Sequence, residues 1–284
     1  MTWALRARAA AFEGRQLMMA TTEHVAFRRS RRDLGDVLRA YGAFHRRRAA
    51  RVSWGMTDLH TVIITAHNHA RYLPEAMDSI LRQDWRPLEI VLIDDGSEDD
   101  TPSLSPRLLA KLPAGVNARA LRNDRSLGQT ASINMAALAA RGSVLTMADA
   151  DDFMLGGTIT LARSLLARHR AFLFGGAPRM FWGDELPTQR DVETPEGGAP
   201  VTAYTPERVI AQPTQMNISH TGSTFLRSAW WLVGGYRRIA RTRITLASDR
   251  EYHLRIASLL PAVETSLDVS HWRMGSSTLR GGYR

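Results

Sequence analysis

Three aspartates, Asp149, Asp151 and Asp152, follow directly on an apolar run at residues 144–148. In an extended segment positions 149 and 151 project to the same side, so two carboxylates face one point. Hard divalent cations take one or two such oxygens and complete their shell with water and a substrate's phosphates. The cluster is therefore suited to a Mg²⁺ or Mn²⁺ site for a diphosphate, with the metal as Lewis acid and template. An acidic turn capping the next helix is the other reading of the same residues, because aspartate is a common N-cap. A second pair, Asp94 and Asp95, ends the run at 88–93 within Asp-Asp-Gly-Ser, a good turn sequence in its own right. A carboxylate there can accept hydrogen bonds from a pyrimidine N–H or ribose hydroxyls, and Gly96 lets a ligand approach the backbone. No GxGxxG or P-loop lysine motif occurs, so the nucleotide would be held by carboxylates and metal.

These residues need elements that bring them together. Residues 61–65 form a β-branched run, residues 72–83 carry helical spacing through Leu73, Met77, Ile80 and Leu81, and residues 88–93 read as a strand. Strands follow at 118–121 and 144–148, the latter entered at Gly142, with a helix at 130–140 between them. This order predicts an α/β fold with a mostly parallel sheet, right-handed crossovers, helices on both faces, and ligands beyond the carboxyl ends of the strands. Ala66, His67 and Asn68, then residues 94–97, then residues 149–152 converge on one sheet edge. Beyond Gly156 the pattern predicts a helix at 158–169, a strand at 171–174 and a mobile Pro/Gly/Glu-rich loop at 186–200.

The run TVIITAHNHARYLPEAMDSILRQ, then LEIVLIDDGSEDDT, then LGQTASINMAALAARGSVLTMADADD resembles, in order and spacing, the N-terminal half of bacterial family 2 glycosyltransferases, which share the GT-A fold. Asn134 stands eight residues before Gly142, as in that family. The resemblance implies a nucleotide-sugar site at Thr65, His67, Asn68, Asp94, Asp95 and Asp149, and a metal site at Asp151 and Asp152. Four positions depart from the family's habit: Thr65 stands where proline is usual, His67 where tyrosine often stacks on the base, Ile133 where arginine or lysine is common, and Ser248 where many members have glutamate.

The second half resembles the family more loosely. MNISHTGSTFLRSAWWLVGGY is similar to its acceptor-side segment, which places interest on His220 and on Gly234 to Tyr236. ASDREYHLRI is similar to the helix start that carries the catalytic base, which implies Asp249 in that role with Glu251 nearby. Aspartate, with a reference pKa of about 3.9, can accept an acceptor hydroxyl's proton, which implies single displacement with inversion. Trp182, Trp230, Trp231 and Trp272 are candidates for stacking on sugar rings, and Arg273 or Arg280 for contact with the diphosphate. The activity implied is transfer of a sugar, UDP-linked by expectation, to a glycan, lipid or other hydroxyl acceptor in cell-surface polysaccharide or glycoconjugate synthesis. A nucleotidyltransferase is the first rival, but residues 66–70 lack a glycine-rich basic phosphate loop. An inactive nucleotide-sugar binder is the second, and the joint presence of Asp151 and Asp249 argues against it.

With 284 residues, 44% of them hydrophobic, the chain suits one large domain or one domain with an appendage. No apolar run approaches the roughly 18 to 20 residues of a membrane helix. Arg6, Arg8, Glu13 and Arg15 interrupt the region where a secretory signal has an unbroken apolar core, so a cytoplasmic protein is expected. The absence of cysteine excludes thiolate sites and leaves oxygen or imidazole as metal ligands. The net charge is +9, and residues 1–56 hold twelve arginines against Glu13, Glu23, Asp33 and Asp36, a local balance of +8. Such a segment is either a solvated helical face or a surface for anionic membrane. Because Lys111 is the only lysine, the arginine excess fits coding bias, and no nucleic acid partner is expected. Residues 1–53 contain no proline, and Leu34, Val37, Leu38 and Tyr41 share one helical face. The expected organisation is a basic helical extension at 1–56, able to touch the inner face of a membrane, followed by a GT-A domain at 57–284.

Overall fold

The computed structural model describes residues 3–27, 34–110, 112–237 and 248–275. Strands β1 (His60–Ala66) and β2 (Leu88–Asp94) are buried along their whole length, as strands must be when helices cover both faces of a sheet. Side chains alternate across that sheet with the period of two that strands impose. Val62 and Ile64 pack with Ile90, Leu92 and the Leu73, Met77 and Ile80 of α3 (Leu73–Leu81), whereas Ile63 packs on the opposite face with Val91, Ile93 and Met147.

β1 runs parallel to β2 and to β4 (Val144–Asp149), and β2 parallel to β3 (Val116–Arg122). Ala66 lies opposite Asp94 and Thr65 opposite Asp149, so the three polar clusters end level with one another. The expected α/β alternation is present, with α4 (Thr101–Leu108), α5 (Gln129–Ala139) and α6 (Thr158–His169) as further connections. α4 is absent from the sequence pattern because prolines mark breaks. Pro102 sits in its first turn, where no N–H is needed, and Pro106 alone lies inside.

The sheet continues beyond β4 in the order β3-β2-β1-β4-β8-β6-β9-β5, with β7 paired to β9. These strands are β5 (Phe153–Met154), β6 (Leu173–Trp182), β7 (Val201–Tyr204), β8 (Thr224–Leu226) and β9 (Ala262–Met274). β8 is antiparallel to both β4 and β6, while β9 is parallel to β6 and antiparallel to β5 and β7. The expected strand at 171–174 is the start of the longer β6. The loop at 186–200 is irregular but tied down: Gly156 N–H donates to Arg190 O at 2.8 Å and Val192 N–H donates to Gly156 O at 2.9 Å.

Two helices precede the sheet, α1 (Trp3–Phe27) and α2 (Leu34–Ala49). Leu5, Ala9, Phe12 and Leu38 bury in the same apolar core as β4, Val209 of the short α7 (Pro206–Ala211) and α8 (Arg227–Val233), and Phe12 stacks on Trp230 with centroids 4.6 Å apart. Packing is therefore continuous across residue 56, where the composition changes. No described helix is long and apolar enough to cross a membrane.

Candidate active site

The turn after β2 is built from its own side chains. Buried Asp94 accepts the Ser97 N–H on Oδ1 at 2.9 Å, and its Oδ2 lies 3.4 Å from Arg122 Nε. Gly96 adopts φ +66°, and a Cβ there would meet the Arg125 backbone carbon at 2.3 Å, so only glycine fits. Asp95 was expected to touch the nucleotide, and the structure gives it a different task. Its carboxylate accepts from Asn123 Nδ2, Leu127 N–H and Ser132 Oγ on Oδ1, and from Ser126 Oγ and Gly128 N–H on Oδ2, at 2.7 to 2.9 Å. A carboxylate has about four lone-pair sites, so Asp95 is saturated and fastens the start of α5 to the end of β2. Burial works to raise its carboxyl, and these hydrogen bonds, Leu127 N–H foremost, outweigh burial and hold it below the usual range.

The loop after β1 is pinned to that turn. His67 Nδ1 donates to Asp95 O at 2.9 Å, Asn68 N–H donates to Ser97 Oγ at 2.9 Å, and Asn68 Oδ1 accepts the Glu98 N–H at 2.8 Å. Asn68 adopts φ +57°, a left-handed conformation that asparagine tolerates better than most residues. Thr65 is buried at the end of β1, its carbonyl accepting Ala150 N–H at 3.2 Å. The turn at Asn68 carries the chain on to His69, whose Nε2 stands 3.8 Å from Asp151 Oδ2. His69 was not singled out in the sequence. Its only signal there is proximity to His67 and Asn68.

The three aspartates after β4 occupy distinct environments. Asp149 Oδ1 accepts from Gln129 Nε2 at 2.8 Å, and Oδ2 accepts from His220 Nδ1 at 2.7 Å. Burial works to raise the Asp149 carboxyl, but the charge and hydrogen bond of His220 prevail and lower it. Burial likewise opposes a charge on His220. The charge of Asp149 and the bond to it win, with Asp249 and Asp152 adding to the pull, and push the imidazole up to about 9. Asp152 is buried, its Oδ2 accepting from Thr221 Oγ1 at 2.7 Å and its Oδ1 from Arg273 N–H at 3.1 Å. Burial pushes its carboxyl well above the usual carboxylate range, and the charges of Asp149 and Asp151 push the same way. Asp151 is the aspartate that faces the His69 loop. Gln129 and Thr221 are further site residues that sequence reasoning passed over, since neither carries a charge.

Opposite lies the turn Gly234 to Tyr236. Asn134 of α5 accepts Tyr236 N–H on Oδ1 at 2.9 Å and Trp230 Nε1–H at 3.3 Å, and donates to Tyr236 O at 2.8 Å. From α1, Gln16 Nε2 donates to Gly234 O at 2.5 Å and to Tyr236 O at 2.8 Å. Arg255 donates to Val233 O and Gly235 O at 2.6 and 2.7 Å. The Tyr236 ring stacks on Tyr252 at 4.0 Å and meets the His220 ring edge-on at 5.9 Å. Asp249, in the first turn of α9 (Ser248–Ala257), acts electrostatically on His220, Tyr236 and His253, so the structure brings it to the same cluster.

Some expected contacts are held elsewhere. Glu251 is fully buried, and both its oxygens accept from Arg255, at 2.6 and 2.8 Å, which takes it away from any acceptor. The Arg273 guanidinium is buried between Tyr72 and Phe181 and donates to Glu75, Gly183 O and Asp151 O, a framework role rather than a diphosphate contact. Trp230 is core and Trp231 packs edge-on to Phe12, whereas Trp272 and Trp182 are 44% and 72% exposed. Arg280 lies outside the described residues.

A sheet of this order with carboxylates at its edge is that of a GT-A glycosyltransferase. TarS 1-349 of S. aureus, solved in complex with UDP-GlcNAc, shares the fold with TM-score 0.60 at 18% identity, over 79% of this chain and 61% of that one. The mannosyltransferase PcManGT of Pyrobaculum calidifontis, solved with GDP-Man and Mn²⁺, does so with TM-score 0.56 at 19% identity, over 87% and 70%. Residues 61–232, more than half the chain, match the Glycosyl transferase family 2 model, and the chain belongs to that family. An uncharacterised glycosyltransferase of Nostoc sp. is 37% identical over 92 residues, which are 32% of this chain and 28% of that protein. The chain thus spans under a third of that curated relative's length.

Proposed function

We propose that this glycosyltransferase moves a sugar from a nucleoside-diphosphate sugar, UDP-linked by preference, to a hydroxyl of a glycan or lipid-linked acceptor, with inversion. The observation that carries the reading is one continuous cluster: Asp151 and Asp149 at the sheet edge, His220 bonded to Asp149, and Asp249 acting on His220. The nucleotide sugars bound by TarS and PcManGT support the donor class.

Asp94 offers Oδ2, which has no hydrogen-bond partner among the described residues, to a uracil N–H or a ribose hydroxyl. Thr65, His67 and Asn68 shape the wall beside it. His220, charged at neutral pH, offsets negative charge on the diphosphate, and Asp249 takes the proton from the acceptor hydroxyl. Among the described residues no three His, Asp or Glu side chains gather as a self-sufficient metal cage. The donor set instead fits a hard cation completed by substrate, with Asp151 as ligand and Asp152 buried in support. When bound, Mg²⁺ or Mn²⁺ supplies positive charge to the departing diphosphate. Exposed Arg8 and Arg15 on α1 and Arg39, Arg46 and Arg47 on α2 support contact with the inner face of an anionic membrane, where each basic group contributes about 1 kcal/mol.

Calorimetric titration of UDP with Mn²⁺ and with chelator tests the metal and nucleotide together. Binding is expected to need the cation and Asp151→Ala to abolish that dependence. Equal affinity with and without chelator overturns the reading.

A further inference from the structure

We infer that His69 is a second protein ligand of the divalent cation at Asp151, so that the cation is held by an imidazole nitrogen and a carboxylate oxygen and completed by the donor's diphosphate. The inference rests on the metal-dependent reading above and concerns a residue outside both aspartate motifs.

Three observations converge. His69 Nε2 and Asp151 Oδ2 stand 3.8 Å apart, on side chains that are each 12% exposed. That separation is too long for a hydrogen bond. It suits two ligands of one ion, since bonds of about 2.0 to 2.2 Å place neighbouring ligands roughly 3 to 4.3 Å apart, depending on the angle at the metal. Second, both ring nitrogens of His69 are shielded from water and have no hydrogen-bond partner among the described residues. Buried polar nitrogens are otherwise nearly always paired, and a bound cation gives Nε2 its partner. Third, the backbone presenting the ring is fixed. His69 N–H donates to Thr101 Oγ1 at 3.2 Å, Ala70 N–H donates to Asp99 Oδ2 at 2.9 Å, and His69 O accepts from Tyr72 and Leu73 N–H at 3.0 and 2.9 Å. The imidazole is therefore held beside Asp151 by the loop after β1, the same loop that lines the nucleotide wall.

An imidazole ligand changes the choice of metal. Carboxylate, phosphate and water suit Mg²⁺, whereas nitrogen raises affinity for transition metals such as Mn²⁺ and Co²⁺. The site thus selects a transition metal over Mg²⁺.

Electron spin echo modulation of Mn²⁺ bound with UDP reads nitrogen directly. A ¹⁴N coupling is expected in the wild-type protein and is absent from His69→Gln, in which the Mn²⁺ dissociation constant measured with UDP rises at least about tenfold and the preference for Mn²⁺ over Mg²⁺ shrinks. The wild-type spectrum decides first and needs no variant. Mn²⁺ that binds, and is weakened by Asp151→Asn, yet shows no nitrogen coupling overturns the His69 inference and leaves the proposed function standing. A coupling of full strength in His69→Gln assigns the nitrogen to another imidazole and overturns it too. Failure of Mn²⁺ to bind with UDP in the wild type overturns the metal reading beneath it.

Discussion

The two sides of the proposed active site, its donor side and its acceptor side, are held by different kinds of contact. On the donor side, the loops after β1 and β2 are fastened by polar links that stay within residues 67–132: Asp94 closes its own turn at Ser97, Asn68 ties the first loop to that turn, and Asp95 ties the turn to the start of α5. On the acceptor side, the turn Gly234 to Tyr236 makes none of its own side-chain closures among the described bonds. Gln16, Asn134 and Arg255, drawn from three helices far apart in the chain, hold its backbone. A region fastened locally is specified by a motif, whereas a region fastened remotely is specified by the fold.

The largest effect expected is at the base. Asp249→Asn keeps the size of the side chain and caps a helix about as well as aspartate, while general-base catalysis contributes about 100- to 10,000-fold. Transfer from a UDP-sugar is expected to fall at least about 100-fold with its dissociation constant changed less than about threefold. Near-normal turnover removes Asp249 from the role, and Glu251, buried against Arg255, does not replace it.

Next come the remote ties. Asn134→Ala leaves the Tyr236 N–H and Trp230 Nε1–H without their acceptor, and is expected to destabilise the protein by about 2 to 3 kcal/mol in denaturant titration, with Gln16→Ala costing about 1 kcal/mol. Both are expected to slow transfer while sparing UDP affinity. Loss of UDP affinity in step with transfer would erase the distinction between the two sides.

The smallest effect is a titration. His220 is raised from an ordinary value near 6.5 to about 9 by Asp149. A group raised on folding stabilises fully below its unfolded value and loses that contribution as pH climbs through the folded one. Thermal stability is expected to decline between about pH 6.5 and 9, UDP affinity to hold until pH climbs through about 9 and then to fall by up to about tenfold, and His220→Gln to flatten both profiles. An unchanged profile in that variant would show the charge lies elsewhere.

The donor side was legible because its residues lie just beyond strands that announce themselves: β1, β2 and β4 are short apolar runs, and Thr158 to His169 carries the helical period end to end. What the residue types did not reveal was which carboxylates are available. Asp95 looks like Asp94 in the sequence, but five hydrogen bonds saturate it, and Glu251 resembles a spare base until Arg255 is found across both its oxygens. β9 escaped notice because its exposure pattern changes phase and its partner β6 shifts register between Gly175 and Pro178, so no long alternation appears. His69 escaped because a distance to Asp151 across 82 positions is set by topology. The basic first helices were expected from composition, yet their apolar face packs into the core.

That packing sets a rule for transplantation. Gly235 adopts φ +69°, and a Cβ there would meet Asn134 Oδ1 at 2.4 Å and both Phe12 and Trp230 at 2.9 Å, so α1 and α8 close on the turn with no spare room. Gln16 and Phe12 lie before, and Tyr236 after, the segment 61–232 that defines the family. A chimaera that exchanged only that segment with another family member would carry across the donor pocket, and would leave the acceptor turn seated on a helix cut for a different surface.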